Sequence, residues 1–63
     1  NAQGTDASRL FLTQMVEHHE GAVQMAQREI ETGQYGPAVS LARLIESLQR
    51  QEIATMQKIL GSL

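Results

Sequence analysis

Sixty-three residues with no cysteine make one small domain that has no disulfide or thiolate metal site to staple it, so apolar packing, a metal or a partner chain must hold it. Five basic against seven acidic side chains give a net charge of −2, and one Phe and one Tyr are the only aromatics. The basic residues are scattered and no base-stacking platform exists, which excludes nucleic acid as a partner. No apolar run reaches the roughly 18–20 residues of a membrane-spanning helix, which excludes helical insertion into a membrane.

Residues 1–5 are small and polar and are expected to be a disordered lead-in, with Asn1-Ala2 a possible tag remnant. Asp6 has the chemistry of an N-cap, since its carboxylate can accept an orphan backbone N–H and meets the positive end of a helix dipole. A first helix is predicted over about 7–32. Leu12, Met15, Val16, His19, Ala22, Val23, Ala26 and Ile30 keep the i, i+3, i+4, i+7 rhythm, while Thr13, Glu17, Glu20, Gln24, Gln27 and Glu31 occupy the other side. Gly33 is the expected stop.

Residues 33–37 hold two glycines and the only proline and are predicted to be the connecting loop, with Pro37 suited to the first turn of a second helix. That helix is predicted over about 38–60, with Leu41, Ala42, Ile45, Leu48, Ile53, Met56, Ile59 and Leu60 in helical rhythm and Gly61 at its end. Two such helices on a short loop form an antiparallel αα-hairpin, so residues 6–63 are read as one all-α domain. Phe11, His18, Ala22 and Met25, with Leu44 and Leu48, widen the apolar stripes beyond what two helices can cover. The expected remedy is a homodimer, or the second hairpin of a longer parent chain, completing a four-helix bundle.

Two polar clusters interrupt these stripes. His18-His19 sit between Met15 and Met25 on the first helix, and Gln49 and Glu52 sit among Leu41, Ile45, Ile53 and Met56 on the second. In a hairpin turning near residue 35, positions whose numbers sum to roughly 70 lie opposite one another. Glu52 is thereby set across from His18 and His19, and Met56 across from Met15. A buried carboxylate needs a partner, and two readings stay open. In one, a His19···Glu52 hydrogen bond supplemented by Gln49 only fixes helix register. In the other, Met15, His18, His19, Met25, Glu52 and Met56 bind a metal. A di-iron centre would use Glu-x-x-His pairs; here Met15 and Val16 stand three residues before the histidines. Thioether and imidazole donors shift the preference to copper, with zinc also open through the imidazoles. A third reading, an enzyme with His19 as general base beside Glu52, finds no supporting Ser or Cys nucleophile, phosphate loop or substrate pocket, so no enzyme activity is expected.

Phe11-Leu12-x-x-Met15-Val16-x-His18-His19-x-x-Ala22-Val23-x-Met25-Ala26, followed by Ala42-x-x-Ile45-x-x-x-Gln49-x-x-Glu52-Ile53-x-x-Met56, resembles the domain of unknown function 305 (DUF305) family from Leu10 to Leu60. The resemblance implies a ferritin-like four-helix bundle in secreted or periplasmic bacterial proteins, some of them associated with copper. Members commonly carry two hairpins in tandem where this chain has one. The function expected is therefore non-enzymatic, extracytoplasmic copper handling, the alternative being a bundle module whose His–Glu cluster only fixes pairing.

Overall fold

The structure, a computed structural model, describes residues 2–63, with side chains from residue 3 onward. Helix α1 runs Ala2–Thr32 and helix α2 runs Gly36–Ser62. They pack as one hairpin with Cα extents of 50 × 14 × 13 Å. The periodic apolar stripes predict this pair, and helix-forming Ala, Leu, Met, Glu and Gln fill most positions between.

The boundaries differ from the sequence expectation at both ends. Gln3 to Asp6 lie inside α1, so there is no irregular lead-in over 3–5 and Asp6 does not cap the helix. Asn1 lies outside the described residues. Helical propagation adds a bond for each residue fixed, so once α1 is anchored by packing it runs back through Thr5 and Gln3 without a cap. Gly61 likewise sits within α2, which closes instead with the Leu63 N–H donating to the Leu60 carbonyl at 3.3 Å.

The loop is shorter than 33–37, because Gly36 and Pro37 already belong to α2. Pro37 falls in the first turn, where its missing N–H leaves no bond unmade. Tyr35 takes the N-cap position with extended backbone and no side-chain cap, and its carbonyl accepts from Ala38 N–H at 3.0 Å and Val39 N–H at 3.1 Å. Gly33 ends α1 as expected, but without a positive φ. Its N–H donates to the Glu29 carbonyl at 2.7 Å, and a Cβ added there would lie 2.5 Å from that same oxygen. The close approach, rather than left-handed backbone, is what asks for glycine.

Leu12, Val23, Ala26 and Ala42 are buried, joined by the polar His19. This is a thin core along one seam, with a different groove on either side of it. On one side Ala22 and Met25 of α1 face Leu41 and Ile45 of α2 across an apolar groove. On the other, Glu20, Gln24 and Gln27 face Arg50 and Gln57. Helical spacing carries the apolar side along the hairpin through Phe11, Met25, Leu41, Leu48 and Ile59, all of them exposed.

Candidate functional site

Midway along the seam, α1 turns the His19 ring inward and leaves only 8% of that side chain exposed. The ring is tied at both nitrogens. Nδ1–H donates to the Met15 carbonyl one turn earlier at 2.7 Å, and Nε2 meets Oε2 of Glu52 on α2. A carbonyl can only accept, so Nδ1 carries a proton on that side, and Nε2 is left to share a hydrogen bond with the Glu52 carboxyl group. Glu52 is not buried: its side chain is 59% exposed and reaches in from the apolar side of the hairpin. The expectation of a buried carboxylate is thereby corrected. One oxygen serves His19 while the rest of the group stays solvated, which lowers the desolvation cost of the pair.

His18 points the other way. It is exposed, meets the His19 ring edge-on at a centroid distance of 6.2 Å, and lies with Ala22 and Met25 along the outer flank of α1. Adjacent residues on a helix are rotated by about 100°, so only one of two neighbouring imidazoles can enter a seam this narrow. Met25 is 66% exposed on that flank, Met15 is half-buried one turn before His18, and Met56 is half-buried next to Glu52 on α2. The hairpin thus places Met15, His18, His19, Met25, Glu52 and Met56 on one side of the seam. Among their side chains only His19 and Glu52 are joined by a hydrogen bond, while the Met15 backbone carbonyl accepts from His19 Nδ1.

Gln49 does not complete that network. Its Oε1 is buried and has no hydrogen-bond partner among the described residues. The expectation that it satisfies the His19–Glu52 pair is therefore corrected. Gln49 lies near one turn before Glu52, and the carboxylate takes the inward-facing Nε2 first.

The donors suit a soft cation. His18 makes no hydrogen bond among the described residues and keeps a ring nitrogen open, with the Met15 and Met25 thioethers at helical spacings of three and seven residues on the same flank. His19 could add its Nε2 only by giving up Glu52. No group of three or more His, Cys, Asp or Glu side chains among the described residues could hold a metal ion.

Architecture and site define a class: an all-α hairpin with a His–Glu pair in its seam and a methionine-flanked histidine on its open side. The chain belongs to the family described as "Domain of unknown function (DUF305)", whose sequence model matches residues 1–60. No curated protein and no solved structure gives a significant match.

Proposed function

We propose that this chain is a non-enzymatic metal-handling domain for copper, working as part of a ferritin-like four-helix bundle in an extracytoplasmic compartment. The observation that carries the reading is the side of the hairpin bearing His18, Met15, Met25 and Met56 around the His19–Glu52 pair. Thioethers and imidazoles are ligands of Cu(I), and thioethers keep that chemistry in an oxidising compartment where thiols would form disulfides. His18 with either Met15, one turn before it, or Met25, two turns after it, would hold an ion from α1, with Met56 reaching from α2 near the level of Met15. The bound group would supply a stored or transferred copper ion, and the family resemblance supports the compartment. Zinc, lacking affinity for thioethers, would have to recruit both histidines and Glu52.

A second reading is favoured by one observation: both nitrogens of His19 are already satisfied within the hairpin. On that reading the His–Glu pair fixes the register of α1 against α2 and binds nothing. The two separate in a titration of Cu(I) into metal-free protein against a competing chelator. Copper handling predicts a Kd well below about 1 µM that weakens at least tenfold in His18→Ala. An affinity that is micromolar or weaker and unmoved by His18→Ala with His19→Ala leaves the structural reading.

A further inference from the structure

Phe11, His18 and Met25 stand seven residues apart along α1, and Ile45, Glu52 and Ile59 stand seven apart along α2. Seven residues are about two turns, so each trio falls in line on one flank of its helix. Both trios face the apolar side of the seam, and each has its polar member in the middle. Antiparallel pairing anchored at His19–Glu52 sets His18 level with Glu52, Phe11 with Ile59 and Met25 with Ile45. Over these six positions the uncovered face is symmetric about its own polar layer, with Glu29 at the edge of the groove nearer the turn.

We propose that its occupant is a second copy of this chain, seated face to face about a two-fold axis in the plane of contact. The polar layers then coincide, and His18 and Glu52 of both copies enclose one shared site. A two-fold along the hairpin sets Phe11 over the second copy's Ile59, and one across it sets Phe11 over the second copy's Met25. Both match apolar with apolar above and below, and both gather two imidazoles and two carboxylates between. Donors and acceptors sit in the same layer, so an identical face offers the complement that each copy needs.

Size and stability agree. The hairpin is 50 Å long and 14 by 13 Å across at its Cα atoms, so a face running its length and widened by side chains can supply about the 800 Å² per partner of an ordinary stable interface. Among the described residues the hairpin by itself buries only Leu12, His19, Val23, Ala26 and Ala42, a core small enough that covering the open face would add materially to its stability.

Completion of a metal site in trans rests on the copper reading, whereas the assembly does not. Sedimentation equilibrium of the 63-residue chain in EDTA should give twice the 7.0 kDa chain mass. Phe11→Glu with Ile59→Glu should restore the single mass. With no native cysteine, a Phe11→Cys chain should cross-link to a Met25→Cys or an Ile59→Cys chain. Cu(I) should bind the dimer at least tenfold more tightly than it binds the Phe11→Glu/Ile59→Glu monomer.

A monomer at up to about 100 µM, with and without Cu(I), overturns the inference, as does a dimer in which Phe11→Cys reaches neither position. If that monomer still binds copper through His18, the copper reading outlives the assembly. A cross-linked dimer without copper affinity upholds the assembly and removes the copper reading.

Discussion

The only side-chain hydrogen bond that joins the two helices among the described residues runs from His19 Nε2 to Glu52 Oε2, between residues 33 positions apart in the chain. It locks the register of α1 against α2, because slipping either helix by one turn would carry the carboxylate about 5.4 Å from the ring. It also marks the level at which the exposed His18 and the flanking methionines are displayed.

Glu52→Gln removes the charge from that pair while leaving Nδ1 on the Met15 carbonyl. Since Glu52 is 59% exposed, the loss should be modest, about 1 kcal/mol after allowing for solvent screening. In a domain this small that lowers Tm by roughly 4–8 °C, read by circular dichroism. His19→Leu combined with Glu52→Leu should recover the loss, since neither member of the pair is then left without the other.

Gly21 and Gly33 should respond to alanine with opposite signs. Nothing lies within 4 Å of a Cβ at Gly21, which sits exposed inside α1, so Gly21→Ala should stabilise by about 0.5–1 kcal/mol through backbone entropy. At Gly33 the added carbon would press on the Glu29 carbonyl, and the last turn of α1 must shift to admit it. Urea unfolding of the two variants should place their midpoints on either side of wild type.

Ala26 and Ala42 are both buried and both border the apolar groove near the turn, where small side chains let the helix axes approach. Ala42→Leu should force the helices apart at that end and cost about 1–3 kcal/mol by overpacking. Equilibrium denaturation would measure it, and an unchanged midpoint would mean that the seam is looser there than the burial of Ala42 implies.

Met25→Leu separates ligand from packing. The side chain is 66% exposed and Leu is close to it in volume, so the stability of the hairpin should change by less than about 0.5 kcal/mol. Cu(I) affinity, measured against a competing chelator, should fall about tenfold with the loss of one thioether. An unchanged affinity would remove Met25 from the proposed ligand set.

What the sequence determined by itself was everything carried by local period and by a short connection. The apolar rhythm marked two helices, the run from Gly33 to Pro37 marked the turn between them, and a short turn fixes which residues lie opposite. From that register alone Glu52 falls across from the histidine pair, and the structure joins it to His19. Tertiary structure decided what depends on rotation about each helix axis, since about 100° separates neighbouring side chains and only the packed partner selects between them. It turned His19 into the seam and His18 out, left Glu52 exposed on the apolar side, and kept Gln49 out of the pair's hydrogen bonding. It also extended α1 back past Asp6 to Ala2, because an anchored helix continues without the cap that an isolated one would need.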